Sequence, residues 1–250
     1  MLRSRRLLIL GGTGEARALA DALADRTNLE VTTSLAGRTV EPRRPRGQVR
    51  VGGFGGIAGL AEYIEASGID LVVDATHPYA ASISAHATEA CRAVARPLLR
   101  FERQAWQPQK GDRWIIVDSL AAAAKAAPEI GHRAFLTIGV KELAAFAEVG
   151  QIWFLVRLVE QPRETIPLRN FALILGRGPF LLNVERELMG RRQIDLVISK
   201  NSGGHATYGK IAAARDLGLP VLLLRRPPLP PAETAASIAA VLAWVEMKSA

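Results

Sequence analysis

The chain contains one cysteine, Cys91, which rules out an internal disulfide framework. Cys91 lies in an Ala-rich helical run, so a buried structural thiol in a cytoplasmic protein is expected. Aromatic residues are scarce, at 6% against 49% hydrophobic residues overall, and Ala, Val, Leu and Gly dominate. That profile belongs to an α/β protein rather than to a disordered or all-β chain. No stretch approaches the ~20 apolar residues that a membrane span needs. Residues 1–6 are basic, but the apolar run behind them is four residues long before Gly11, too short for a signal peptide. No His, Cys and carboxylate spacing supports a metal, and none is expected. Acidic residues are outnumbered, 24 against 32 Lys and Arg, giving a formal charge of +8 that favours an anionic partner. The basic residues are scattered or lie in loops, notably Arg38, Arg43, Arg44 and Arg46, with no nucleic-acid motif or stacking surface beside them. A small polyanion is expected, not nucleic acid and not a membrane.

What is present begins at residues 7–25: a buried strand, a three-glycine turn and an Ala- and Leu-rich amphipathic helix. Gly11, Gly12 and Gly14 allow a sharp turn and close backbone approach, and the helix N-terminus behind them offers free N–H groups and a positive dipole end to an anion. A nucleotide pyrophosphate is the usual occupant, which makes Gly11, Gly12, Thr13, Gly14 and Glu15 the candidate contacts. The match to Gly-x-Gly-x-x-Gly is partial, since the third position is Arg17.

Apolar runs at 7–10, 30–34, 49–51, 71–74 and 97–100 alternate with helical periods at 13–25, 57–66 and 79–93, a βαβ pattern that builds a parallel sheet. Residues 101–113 lose the period and read as a linker. The alternation restarts with strands at 114–117, 134–138, 152–157, 172–175, 195–199 and 220–224, and helices near 119–126, 141–147, 180–190, 206–217 and 232–246. The fold class is therefore α/β with two Rossmann-like doubly wound parallel-sheet domains, residues 1–105 binding NADP and 106–250 binding the substrate, the last helix being free to pack on the first domain. The proline-rich 225–231 carries that helix to its docking place.

In parallel sheets ligands bind beyond the carboxyl ends of the strands. After the second strand no acid waits for ribose hydroxyls; Ser34 and Arg38 stand there instead and point to the 2′-phosphate of NADP. The third strand ends in four glycines around Phe54. Gly53 permits close backbone approach and Phe54 can lie on an adenine or nicotinamide ring, a hinge being the alternative. The fourth strand delivers Asp74, Thr76, His77 and Tyr79, with cofactor contact expected at Thr76 and a ligand or catalytic role at His77 and Tyr79; capping by Thr76 and loop support by Asp74 are the alternatives. Tyr79 is followed four positions later by Ile83, so the Tyr-x-x-x-Lys pair of short-chain dehydrogenases is missing. In the second half Lys200 ends a strand before Asn201, Ser202, Gly203 and Gly204, with Thr207, Tyr208 and Lys210 in the first helical turns, a set suited to carboxylate or phosphate. The alternative for Lys200 is an internal acid such as Glu185. His205 reads as exposed loop, and Arg177 in Gly-Arg-Gly-Pro-Phe is a further anion contact or a packing turn.

Taken in order, 11–15 (Gly-Gly-Thr-Gly-Glu), 74–80 (Asp-Ala-Thr-His-Pro-Tyr-Ala), 100–103 (Arg-Phe-Glu-Arg) with Trp106, 176–180, 200–204 (Lys-Asn-Ser-Gly-Gly) and 206–208 (Ala-Thr-Tyr) resemble the precorrin-6A reductase family of cobalamin biosynthesis across nearly the whole chain. Gln104 departs from the proline that often follows the Phe-Glu-Arg segment. The resemblance implies two Rossmann-like domains with an interdomain cleft, NADPH held mainly by the first, and a polycarboxylate macrocycle, precorrin-6A, of which one carbon–carbon double bond is reduced to give precorrin-6B. Lys200, the amides of Ser202 to Gly204 and Tyr208 would orient its carboxylates, with Lys200, His77 and Tyr79 the candidate catalytic groups for protonation. Hand-over to neighbouring pathway enzymes is a further expectation. Two rivals are a nucleotide-sugar transferase, which normally needs a longer chain and a ribose-binding acid, and a non-catalytic NADP-binding module, which would lack a second ligand site.

Overall fold

The structure is a computed structural model and describes residues 4–37 and 44–249. It divides into two compact units, Met1–Gln104 with Pro227–Ala250, and Ala105–Arg226. The first runs β1 (Arg5–Leu10), α1 (Gly14–Leu23), β2 (Leu29–Leu35), β3 (Gln48–Val51), α2 (Ile57–Ala66), β4 (Leu71–Asp74), α3 (Ala81–Ala93) and β5 (Leu98–Phe101). The second runs β6 (Arg113–Val117), α4 (Leu120–Ala126), β7 (Arg133–Thr137), a 3₁₀ stretch Val140–Phe146, β8 (Trp153–Leu158), β9 (Phe171–Leu175), α5 (Leu182–Arg191), β10 (Leu196–Lys200), α6 (Gly209–Asp216) and β11 (Pro220–Leu224). The chain then adds β12 (Glu233–Ala235) and α7 (Ile238–Ser249) to the first unit.

Each sheet has six parallel strands, in the orders β12-β5-β4-β1-β2-β3 and β6-β11-β10-β7-β8-β9. Helices cover both faces, so the central strands read as unbroken apolar runs. Leu7 and Ile9 pack with Leu19, Leu23 and Val245, while Leu8 and Leu10 pack with Leu60, Ile64 and Cys91 on the opposite face. In the second unit Leu136 and Ile198 join Phe146 and Phe154 on one face, and Phe135 and Val197 join Met189 and Ile211 on the other. Burial pushes the Cys91 thiol up to about 12, with the Asp74 charge adding to it.

Two sequence expectations need correction. Residues 227–250 group with the first unit, on which the sequence reading left the last helix free to pack: β12 hydrogen-bonds beside β5, the Glu102 amide donates to the Ala235 carbonyl, and α7 buries Val241, Trp244 and Val245 against the β1 face. The expected helix at 232–246 is thus a three-residue edge strand followed by a helix from Ile238. The expected helix at 141–147 is 3₁₀ over Val140–Phe146.

The strand orders locate the sites. In the first sheet the chain winds outward from β1 through β2 and β3, then reverses through β4, β5 and β12; the reversal lies between β1 and β4. The second sheet repeats the order if read from β7, with β6 filling the place that β12 fills in the first. Its reversal lies between β7 and β10. Ligands of open α/β sheets bind at such a point, beyond the carboxyl ends of the strands.

Candidate active site

At the first reversal point β1 gives way to the glycine turn. The Gly11 amide donates to the Ser34 carbonyl at 2.9 Å, and a Cβ there would come 2.9 Å from Thr33 Cγ2, so Gly11 serves close strand packing. Gly12 has φ +110°, the left-handed region that favours glycine. Thr13 is the N-cap of α1: its Oγ1 accepts from the Ala16 amide at 3.0 Å and donates across the reversal point to the Ala75 carbonyl at 2.8 Å. Among the described residues nothing accepts from the amides of Gly12 and Gly14, and a Cβ on either would meet no atom within 4 Å. This is a cradle of main-chain donors with room before it. Glu15 faces Arg103 instead, Nη1 to Oε1 at 2.5 Å.

Beside it, Ser34 is buried at the end of β2, and its register partner Arg50 on β3 reaches to 3.5 Å from its Oγ. Arg50 also donates to the carbonyls of Gly52 and Gly53 and lies 3.9 Å over the Phe54 ring. One face of Phe54 is therefore taken by a guanidinium, which limits the expected ring stacking to the other. Arg50 is a site cation that the sequence reading missed; Arg38 and Arg43 lie outside the described residues.

Asp74 ends β4, 1% exposed, and its second oxygen is 3.6 Å from Nε of the buried Arg100. Its first oxygen accepts from the Thr76 amide at 3.1 Å and hydroxyl at 2.7 Å. Asp74 and Thr76 therefore shape the turn that presents His77 and Tyr79, both half-buried. His77 Nδ1 accepts from the Tyr79 amide at 3.3 Å, and the two rings lie 5.7 Å apart.

At the second reversal point Lys200 Nζ donates to Glu142 Oε1 at 2.5 Å, and Glu142 Oε2 accepts from the Gly139 amide at 2.7 Å. The partner is thus Glu142 and not Glu185. Gly203 and Gly204, both at φ +70°, carry the loop, which is tied down from behind. Asn201 is a tether: its side-chain amide accepts from Trp106 N at 2.8 Å and donates to Trp106 O at 3.1 Å. The Trp106 indole donates to the Gly204 carbonyl, and Arg226 donates to the carbonyls of Asn201 and Ser202. The Tyr208 hydroxyl accepts from Arg215 at 2.5 Å, an arginine held in turn by Asp112, so its ring is part of the loop's support. Thr207 receives Lys210 Nζ on its carbonyl, His205 is exposed, and Arg177 is exposed on the turn before the cis Gly178–Pro179 bond.

Lys210, read from sequence as part of the anion site, is 5% exposed beneath the loop. Close by, Glu185, 0% exposed, takes both Nη atoms of Arg157 at 2.7 and 2.8 Å, and Arg157 lies over the rings of Phe180 and Phe135. Burial pushes the Lys210 ammonium down to about 7, against the pull of Glu185 and with help from Arg157. An unfolded lysine titrates near 10.4, so between pH 7 and 10 the unfolded chain binds more protons and stability rises with pH. Urea unfolding of Lys210→Met should lack this slope, which is at most about 1.4 kcal/mol per pH unit. Parallel pH profiles of the variant and the parent would contradict it.

Two sheets of Rossmann strand order, one with an open glycine turn at its reversal point, define a double Rossmann-type α/β protein. The sequence matches the family described as Precorrin-6x reductase CbiJ/CobK over residues 6–246. It is 50% identical to the precorrin-6A reductase of Rhodococcus erythropolis, covering 96% of this chain and 97% of that one, and 44% identical to that of Rhodobacter capsulatus, covering 96% and 95%. The solved structure of CobK precorrin-6A reductase superposes with a TM-score of 0.93 at 43% identity, covering 98% of both chains. The chain belongs to the precorrin-6A reductase family. No helix among the described residues is long and apolar enough to cross a membrane.

Proposed function

We propose that this protein uses NADPH to reduce one carbon–carbon double bond of precorrin-6A, giving precorrin-6B, in the cytoplasm, a setting that the single buried thiol of Cys91 fits. The observation that carries the reading is the open amide cradle of Gly12 and Gly14 at the first reversal point. It suits a pyrophosphate, which main-chain N–H groups and a helix N-terminus stabilise together. Thr13 fixes the turn, and Ser34 with Arg50 offers a hydroxyl and a cation where the 2′-phosphate of NADP would be read. When bound, NADPH supplies the hydride.

The chain's own tasks are orientation and the proton. Lys200 at the end of β10, with the amides around Gly203 and Gly204, is assigned to the carboxylates of the macrocycle, and Arg177 to the same polyanion. His77 accepts at Nδ1 from the Tyr79 amide, which places the proton of a neutral imidazole on Nε2. We assign that N–H to positioning the solvent water that passes a proton to the ring carbon next to the one reduced, with Tyr79 orienting the imidazole. A net charge of +8 draws in a substrate of many carboxylates.

Lys200→Met tests the substrate half of the reading. A charge-assisted hydrogen bond is worth about 1.5–3 kcal/mol, so the KM for precorrin-6A should rise roughly tenfold to a hundredfold while NADPH affinity stays within twofold. An unaltered KM would remove Lys200 from the substrate site.

A further inference from the structure

The turn after β7 is the topological counterpart of the glycine turn after β1, yet the two are filled differently. In the first, the turn's acid Glu15 faces Arg103, and the amides of Gly12 and Gly14 meet no acceptor among the described residues. In the second, Glu142 folds back over its own turn, one oxygen on the Gly139 amide and the other on Lys200 Nζ. The second reversal point thus carries an anion from within the chain, a carboxylate on two donors. The pair is not deeply buried: the Lys200 side chain is 13% exposed and that of Glu142 29%. Such a pair is weak enough to exchange and enclosed enough that Lys200 without a counter-charge would be unfavourable.

We propose that Glu142 is a specificity-determining residue, an internal carboxylate that holds Lys200 and the Gly139 amide until a carboxylate of the macrocycle takes its place. This rests on the assignment of Lys200 to the substrate. The exchange conserves charge at the site, so a ligand offering a carboxylate there replaces what Glu142 gives, and a neutral analogue leaves Lys200 with Glu142.

The exchange reduces apparent affinity by the fraction of molecules in which Glu142 occupies Lys200. Steady-state kinetics with precorrin-6A and NADPH should therefore show a KM about three- to fivefold lower for Glu142→Gln, the size expected of a partly exposed ion pair, with any change in kcat smaller. In a Lys200→Met background the same substitution should give no lowering. Glu148→Gln, an exposed acid paired with Arg169, serves as the control for net charge and should leave KM alone. A KM that is unaltered or raised in Glu142→Gln, a lowering that persists without Lys200, or an equal lowering in Glu148→Gln would each overturn the exchange. If Glu142→Gln lowers the thermal midpoint sharply, Glu142→Asp, which withdraws the carboxylate from Lys200 by one methylene, should lower KM in the same direction, and a raised KM there overturns the proposal. Failure of the underlying reading looks different: Lys200→Met would then leave KM untouched, whereas failure of the exchange alone leaves the Lys200→Met effect in place.

Discussion

Glu185→Ala is expected to destabilise the fold by about 3–5 kcal/mol, a large share of the roughly 5–15 kcal/mol that holds a domain together. Glu185 is 0% exposed and accepts two hydrogen bonds from Arg157, whose guanidinium lies 4.0 Å over Phe180 and 4.7 Å over Phe135. Lys210 is buried close by and is stabilised as a cation by the same carboxylate. Removing the acid leaves two buried cations facing apolar and aromatic groups with no counter-charge, which costs far more than the lost pair is worth. Lys210 can relieve part of this by releasing its proton, since its ammonium already titrates near 7; Arg157 cannot. The loss should therefore be larger at pH 6 than at pH 9. Urea unfolding at both pH values checks it, and a loss under 1 kcal/mol at pH 6 would show that the network is not the internal support drawn here.

Gly14→Leu should leave the fold intact and remove the cofactor. Gly14 opens α1 at a φ that ordinary residues accept, and a Cβ there meets nothing within 4 Å. Leucine is the better helix former by up to about 1 kcal/mol, so the thermal midpoint should hold or rise. The added side chain would stand in the space before the Gly12 and Gly14 amides. Displacing a phosphate from even one of them forfeits about 1.5–3 kcal/mol, so NADPH affinity should fall at least tenfold. Unchanged calorimetric affinity in a folded Gly14→Leu variant would place the pyrophosphate elsewhere.

The β1 run Arg-Arg-Leu-Leu-Ile-Leu and the β11 run Pro-Val-Leu-Leu-Leu were legible because strands covered on both faces are apolar without alternation. Helix limits came through where the apolar period is clean, as at Ile57–Ala66. What failed has physical causes. Glu-Thr-Ala at 233–235 is too short and too polar to announce a strand; it becomes one because β5 offers an open edge. The 3₁₀ stretch at 140–146 carries a helical spacing, while Glu142 caps Gly139 and turns toward Lys200. The glycines of the site were readable from residue type, since Gly12, Gly203 and Gly204 sit at positive φ. Partners were not: Lys200 meets Glu142 across 58 residues, Asn201 meets Trp106 across 95, and Arg157 meets Glu185 across 28. Asn201 and Tyr208 carried the right motif, but their polar atoms hold the loop. Arg50 gave no usable signal and Lys210 was read as an anion contact, because a lone basic residue in a strand or helix does not say whether it faces a ligand, a carbonyl or a buried acid.

The most direct test of the account is turnover by the purified protein with metal-free precorrin-6A and NADPH, following nicotinamide absorbance and the mass of the macrocycle together. The account predicts NADPH oxidation that depends on the macrocycle and a product heavier by two hydrogens, one of them carried over from deuterated cofactor. A folded protein that binds NADPH yet returns the macrocycle unreduced would contradict it.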